Sequence, residues 1–229
     1  MNEFHPEPKQ LLECERETLQ FLKDHLKDQE QFAELANEAK VYYFKTKYRA
    51  NTTPFYFESR FGIKIEGRDG YAHISSEIEK NEGKFQKISH NLAIYEQSNN
   101  TTKILRKFHF DYDPPGTIHR QPHPIFHLQY AGKLSKRLRT MNPDASDLNM
   151  DLNGPRLCYF PTSLALLIHF ILIEFPSEEN KKLSELSIWR EMVRRNEKEI
   201  LAPFFRNCHL FFSNRCNNSL FINDFYYGN

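Results

Sequence analysis

The stretch FHFDYDPPGTIHRQPHPIFHLQYAG, residues 108–132, decides how this chain folds, because two alternating segments flank a loop with four prolines. In each segment aromatic and polar side chains alternate, which is the period of a β-strand with two different faces. If the two strands pair antiparallel, their aromatic faces coincide and are buried together. Their polar faces then also coincide. The polar residues of the two segments are Lys107, His109, Asp111, Asp113, His123, His127 and Gln129.

The same period of two continues from this hairpin towards the N-terminus. From Pro54 onwards, apolar residues such as Phe57 and Ile63 alternate with charged ones, as in a half-buried strand. Consecutive strands joined by short polar connections, without a helix between them, favour an antiparallel meander. The predicted strands cover residues 54–66, 71–78, 87–97, 103–113 and 124–132. We therefore expect a five-stranded antiparallel meander over residues 54–132.

Helical spacing of apolar residues predicts a helical N-terminal region over residues 1–48. Leu12, Leu19 and Leu22 recur at helical intervals, and the pattern runs from residue 8 to residue 48 as one helix or two. The charged residues between the leucines, including Glu15, are expected to form the solvent-exposed face of this helix.

The segment after residue 132 is predicted to contain a basic turn and loop (133–160) and then a helical C-terminal region (161–229). Pro161 suits a first helical position, and Ser177 is expected to cap a charged helix of about 178–200. The C-terminal helices are expected to pack on one face of the sheet. The chain is thus predicted to be a single α+β domain, residues 1–229.

Composition narrows the class of protein. The chain has 31 Lys and Arg against 30 Asp and Glu, so a nucleic-acid interface over its whole surface is disfavoured, although a local basic groove is allowed. Its four cysteines form no CxxC pair, which favours reduced thiols. The N-terminus has no signal-peptide pattern, and the apolar segment 157–175 is interrupted by Pro161 and His169. We expect a cytoplasmic protein without membrane association.

The histidines and aspartates of the hairpin allow three interpretations. A sheet covered by helices on one side has a solvated second face, where polar residues belong. Histidine beside a carboxylate is also the usual material of acid–base chemistry, and the two residue types can bind metal. We expect no metal or other cofactor, because paired cysteines are absent and the histidine spacing matches no metal motif. The candidate catalytic residues are His109, Asp111, His123 and His127.

The hairpin also resembles the small β-sheet toxins of prokaryotic toxin–antitoxin systems. The resemblance lies within residues 108–132, in the pair Asp111 and Asp113, the histidines His119 and His123 of the proline-containing loop, and His127 of the second strand. The whole chain is loosely similar to uncharacterised bacterial proteins of antiphage defence. These resemblances imply a bacterial cytosolic effector, or the partner of one.

Two basic segments are candidates for contact with RNA or DNA. Residues 41–49 interleave tyrosines with cations, and residues 133–139 follow the histidine strand directly. The alternatives are a buried end of a helix for the first segment and a solvated turn for the second. The candidate nucleic-acid-binding residues are Lys45, Lys47, Arg49, Arg120, Lys133, Lys136, Arg137 and Arg139.

Two hypotheses for function follow from the sequence. The first is a toxin-like or defence-associated effector that cleaves RNA or another phosphodiester with histidines and without metal, since the 2′-hydroxyl of RNA supplies the nucleophile. The second is a non-catalytic subunit of a defence or toxin–antitoxin complex, which docks on a protein encoded nearby. The amphipathic N-terminal helix and the aromatic tail favour the second hypothesis.

Overall fold

The fold is α+β and is built on one antiparallel sheet with strand order β1 to β6. The computed structural model describes residues 8–27, 55–65, 68–82, 84–98, 101–114, 125–130 and 157–214. The strands are β1 (Phe55–Ile65), β2 (Arg68–Asn81), β3 (Lys84–Ser98), β4 (Thr101–Tyr112), β5 (Phe126–Tyr130) and β6 (Leu157–Cys158). The predicted five-stranded meander is confirmed, and β6 adds two residues to its edge.

Helices precede and follow the sheet along the chain. They are α1 (Pro8–Lys27), α2 (Leu164–Glu174), α3 (Glu178–Glu185), α4 (Ser187–Asn196) and α5 (Ala202–Asn214), with a π-helical turn at Glu197–Leu201 between α4 and α5. Within the described ranges, none of these helices combines the length and apolar character needed to cross a bilayer.

The helix ends correct two local predictions. Ser163, not Pro161, precedes the first helical residue of α2, and its side chain accepts a hydrogen bond from the backbone N–H of Leu166. Ser177 caps α3 as predicted, but the helix expected over 178–200 is interrupted at Leu186. α1 falls within the predicted helix 8–48, and the remainder of that prediction lies outside the described residues.

The helices cover the apolar face of the sheet. Ile74 and Leu92 of the sheet and Leu22, Ile168 and Trp189 of the helices belong to one core cluster of buried residues. Burying each such side chain stabilises the fold by roughly 1.5–3 kcal/mol. The opposite face of the sheet, which the helices do not cover, therefore carries the polar side chains of β2 to β5.

Candidate functional site

The pairing of β4 with β5 assembles the predicted polar cluster. His109 lies opposite Gln129, and Asp111 lies opposite His127. The aromatic residues between them point to the other face, where Tyr112 and Phe126 pack with ring centroids 5.1 Å apart. The predicted antiparallel pairing and the predicted assignment of the two faces are both confirmed for these residues.

The imidazole of His127 lies between two carboxylates. Its Nε2 is 3.9 Å from Oδ2 of Asp111, and its Nδ1 is 3.9 Å from Oδ2 of Asp113. These are ion-pair distances, longer than hydrogen bonds. The side chain of His127 is only 2% exposed, whereas those of Asp111 and Asp113 are 25% and 30% exposed. The two carboxylates therefore connect a buried imidazole with solvent.

His109 is the second imidazole of the cluster. It lies diagonally from His127 across the β4–β5 pair, a separation of about 7–8 Å between backbones in antiparallel sheets. Burial, together with the nearby positive charges of Lys107 and His127, lowers the pKa of His109 to about 4. Its buried Nε2 has no hydrogen-bond partner among the described residues. His109 is therefore neutral at physiological pH and retains one ring nitrogen for another partner.

The polar face of the sheet is much less exposed to solvent than the alternation of polar and apolar residues suggests. Besides His127, the side chains of Lys107 and His73 on this face are each 6% exposed, and Tyr95 is 1% exposed. The interpretation of this face as a solvated surface is therefore wrong for these residues. Lys107 lies two residues before His109 on this face, and its positive charge helps to lower the pKa of that histidine.

Small polar side chains continue the cluster across the sheet. Asn91 of β3 lies opposite His109, and Ser75 of β2 lies opposite Asn91. Ser89 lies opposite Asp111, and its hydroxyl accepts a 3.4 Å hydrogen bond from the side-chain amide of Asn91. The acid–base residues therefore lie at one end of a polar row that extends over four strands.

Several predicted site residues lie outside the described ranges, and their predictions stay predictions. These are His119, His123, Arg120, Lys133, Lys136, Arg137, Arg139, Lys45, Lys47 and Arg49. Arg106, in the middle of β4 and opposite Ile94, donates a hydrogen bond to the carbonyl of Leu105 at 2.8 Å. Lys107, two residues before His109, is a described cation on the polar face close to that histidine.

A second polar cluster, which the sequence patterns did not single out, lies on the opposite face of the sheet. The hydroxyl of Ser76 is 2.8 Å from Nδ1 of His90, and Nε2 of His90 is 4.0 Å from Oε1 of Glu15. Both carboxyl oxygens of Glu15 accept from the backbone N–H of Leu164, at 3.0 and 3.2 Å. The cluster thus joins α1, β2, β3 and the start of α2.

Burial sets the charge states in this second cluster. Burial raises the pKa of Glu15 to about 8, although the Leu164 N–H opposes the shift, and burial lowers the pKa of His90 to about 4. Both directions favour a neutral acid beside a neutral imidazole, because neither charge has water around it. The order serine, histidine, acid resembles that of a hydrolase triad. However, the three side chains are 1%, 0% and 0% exposed, so a substrate has no access.

Two signals in the sequence point to this second cluster. His90 alternates in phase with Ile88 and Leu92, which places it on the apolar face of β3. Glu15 lies four residues after Leu11 and four before Leu19, on the apolar stripe of α1. The expectation that Glu15 lies on the wet side of the helix is therefore wrong. An acid and a histidine that both occur on apolar faces are candidates for a buried pair.

Comparison with known proteins adds nothing to this geometry, since no protein-family model, no curated protein and no solved structure matches the chain. Function therefore has to be inferred from the residues themselves. Among the described residues, no three His, Cys, Asp or Glu side chains converge in a way that could hold a metal ion. The cluster on the polar face can exchange protons, and it combines acids, a neutral base and a cation.

Proposed function

We propose that this chain is a phosphodiesterase that cleaves RNA, or a related phosphodiester, by acid–base chemistry without metal. The observation that carries the proposal is the imidazole of His127 between the carboxylates of Asp111 and Asp113, with the neutral His109 on the same face. His127 can exchange a proton with the carboxylates on either side of it, while His109 is a neutral base on the same face. An acid group and a base on one face are what proton transfer to and from a substrate requires.

The roles of the residues follow from their exposure and charge. His109, whose buried Nε2 has no hydrogen-bond partner among the described residues and must become accessible when RNA binds, takes the proton from the 2′-hydroxyl, whose oxygen then attacks phosphorus. An anionic phosphodiester beside His109 stabilises the protonated ring and so makes it a stronger base. The bond between phosphorus and the 5′-oxygen breaks, and that oxygen takes its proton from the His127–Asp111 pair through the partly exposed carboxylate. The products are a 2′,3′-cyclic phosphate and a 5′-hydroxyl.

Lys107 and Asp113 support this reaction. Lys107, on the same face as His109, carries the positive charge that stabilises the anionic five-coordinate phosphorus. Asp113 lies 3.9 Å from Nδ1 of His127, so its negative charge acts on the side of the ring away from Asp111. Because His127 is only 2% exposed, its role is to supply and receive protons behind Asp111 without contact to the substrate. We extend the proposal to a toxin-like effector of a bacterial defence or toxin–antitoxin system on the strength of the resemblance of residues 108–132.

Cleavage of an RNA oligonucleotide in EDTA tests this function. We expect wild-type protein to leave 2′,3′-cyclic phosphate ends and to spare a substrate with a 2′-deoxy sugar at the cleavage position. His109→Gln and Asp111→Asn should each reduce the rate by about 10²- to 10⁴-fold. The matched control is His209→Gln, because His209 is an exposed histidine of α5. An inert wild-type protein, or full activity in both site variants with intact melting transitions, would contradict the proposal.

The pH profile provides an independent check on His109. The dependence of kcat/KM on pH reports ionisations of the free enzyme. Since the pKa of His109 is lowered to about 4, we expect kcat/KM to rise with pH through a limb near pH 4. The same limb should disappear from the residual activity of His109→Gln. A limb near pH 6.5, unchanged in that variant, would assign the base to another group.

A second function, a non-catalytic subunit that docks on a protein encoded nearby, is favoured by apolar side chains on the helical layer. Phe170 and Ile173 of α2 are 43% and 58% exposed, and Phe205 and Leu210 of α5 are 52% and 48% exposed. Scattered exposed apolar residues are ordinary, but several on one layer fit a docking surface. Co-expression with neighbouring genes tests it. Phe205→Ser with Leu210→Ser should release a co-purifying partner, whereas His109→Gln should retain it.

A further inference from the structure

A cleft on the helical layer is lined by charged side chains of both signs, with cations in excess. It has a volume of about 570 Å³ and lies between α2, α3, α4 and the π-helical turn. Sites for small molecules typically have about 300–1,000 Å³. The helices cover the apolar face of the sheet, so this cleft lies on the side of the sheet opposite to Asp111 and His127. It is therefore a separate site from the one proposed for phosphodiester cleavage.

Three cations converge on the cleft from two helices. Arg190 and Arg194 are four residues apart on α4 and so lie on the same side of that helix, and Lys181 reaches the cleft from α3. Among the described residues, none of the three has an ion pair within 4.0 Å. Three cations against the two glutamates that also line the cleft leave one excess positive charge, which favours a bound anion. Arginine pairs in particular match the oxygens of a phosphate group.

His169 supplies a neutral hydrogen-bond donor to the same cleft. The indole N–H of Trp189 donates to Nδ1 of His169 at 3.2 Å, so the proton of the neutral ring is on Nε2. Burial lowers the pKa of His169, which keeps the ring neutral. Trp189 is fully buried and packs on Phe21, with ring centroids 5.3 Å apart. The imidazole is therefore held in one orientation by the core.

The cleft also contains hydrogen-bond acceptors, which a ligand can satisfy only if it has hydrogen-bond donors beside its anionic group. Glu185 and Glu197 line it, and Ser184 donates its hydroxyl proton to the carbonyl of Lys181 at 2.9 Å and so keeps its lone pairs free to accept. A bare anion would be attracted by the cations and repelled by the two glutamates. A ligand with hydroxyl groups beside its anionic group satisfies both sets of residues.

We propose that this cleft binds a phosphate monoester of a hydroxylated small molecule, a sugar phosphate or a nucleoside monophosphate. The phosphate lies on Lys181, Arg190 and Arg194, and the hydroxyl groups donate to Glu185 and Glu197. A phosphate fits these cations better than a carboxylate would, because its three terminal oxygens can accept from Lys181, Arg190 and Arg194 together. The glutamates give preference for the ester over inorganic phosphate, which has no sugar hydroxyls.

Titration calorimetry with the full-length protein tests the proposal, with ribose 5-phosphate, AMP, ribose and inorganic phosphate as probes. We expect at least one of the two esters to bind, ribose not to bind, and inorganic phosphate to bind at least tenfold more weakly than the ester. Arg190→Gln and Arg194→Gln should each weaken binding of the ester about tenfold or more. Arg206→Gln, an exposed arginine of α5 outside the cleft, is the matched control and should bind as wild type.

Glu197→Gln separates the two halves of the proposal. It should weaken binding of the ester and strengthen binding of inorganic phosphate, because it removes a hydroxyl acceptor and a repelling charge together. The proposal is overturned if neither ester binds, if the arginine variants bind as tightly as Arg206→Gln, or if Glu197→Gln affects both ligands in the same direction. His109→Gln should leave ester binding unchanged, so the outcome is independent of the proposed cleavage site.

Discussion

Asp111 and His127 are direct partners across the β4–β5 pair, and Nε2 of the buried imidazole lies 3.9 Å from Oδ2 of the partly exposed carboxylate. The backbone ladder of two strands sets this distance, because opposite residues of an antiparallel pair share one face. Asp113, just beyond the end of β4, faces the other ring nitrogen from the same strand. The β4–β5 pairing therefore places Asp111 and His127 on one face, with Asp113 at the next position of that face.

Loss of the imidazole should destabilise the protein. His127→Ala leaves Asp111 and Asp113 beside a cavity without the ring that separates them, and we expect a loss of roughly 1–3 kcal/mol in the free energy of unfolding. A double-mutant cycle with Asp111→Asn, followed by urea denaturation, should give a coupling energy of about 0.5–3 kcal/mol. A cycle of His127→Ala with Glu199→Gln, on the π-helical turn, should be additive. Additivity in both cycles would mean that the pair contributes nothing.

Aromatic packing on the opposite face should matter more for stability than any single polar residue. Phe126 is 4% exposed and contacts Tyr112 and Phe204, with ring centroids 5.1 and 6.2 Å apart. Phe126→Ala should lower the free energy of unfolding by about 3–5 kcal/mol. Tyr130→Ala, four residues further along β5 on the same face but 45% exposed, serves as the control and should cost much less. Equal costs in urea denaturation would contradict the assignment of the core.

Stability should fall in mild acid because His109 is buried in its neutral form. Its pKa is lowered from 6.5 to about 4 by burial and by the charges of Lys107 and His127. The imidazole of His109 therefore binds a proton more readily in the unfolded chain than in the folded one. Its contribution to the stability of the fold is complete above pH 6.5 and is lost as the pH falls towards 4. His109→Gln has no such group, so its unfolding free energy should rise relative to that of wild type as the pH falls below 6.5. A constant difference from pH 4 to 7 would contradict the assignment.

Glu15 should have the opposite dependence on pH. Its pKa is raised from 4.5 to about 8 by burial, so the folded state holds a proton that the unfolded state loses. Its contribution to stability is complete below pH 4.5 and decreases as pH rises through 8. Glu15→Gln mimics the neutral acid, so its unfolding free energy relative to wild type should increase between pH 5 and 8. Carbon-13 NMR of the Glu15 carboxyl group gives a direct measurement, and titration near pH 4.5 would refute the prediction.

The start of α2 depends on one buried hydroxyl. Ser163 accepts from the N–H of Leu166 and donates to Oδ1 of Asn196 at 2.7 Å, which ties the beginning of α2 to the end of α4. Ser163→Ala should cost about 1–2 kcal/mol in unfolding free energy. Ser177→Ala removes the equivalent cap from α3, which has no such second bond, and should cost less. Thermal melts of the two variants compare them, and a larger loss for Ser177→Ala would contradict the role of Asn196.

Much of the sheet could be predicted from the sequence, because alternation along a strand is a local property of an extended backbone. The side of the strand on which each residue of 107–112 and 126–130 lies, and the meeting of Asp111 with His127, follow from a period of two and the length of the connection. The same rule could have placed His90 on the apolar face, since it alternates with Ile88 and Leu92.

The surroundings of those residues were decided only by the tertiary structure. The carboxyl group of Glu15 meets the N–H of Leu164, 149 residues away, and no local pattern records that contact. The start of α2 at Leu164 depends on the same contact and on Asn196, and the cleft depends on the break in the helix at Leu186. The burial of His127 and Lys107 could not be predicted from their own strands. Alternation fixes only the side of the strand on which a residue lies, whereas burial depends on which residues from elsewhere in the chain pack against that side.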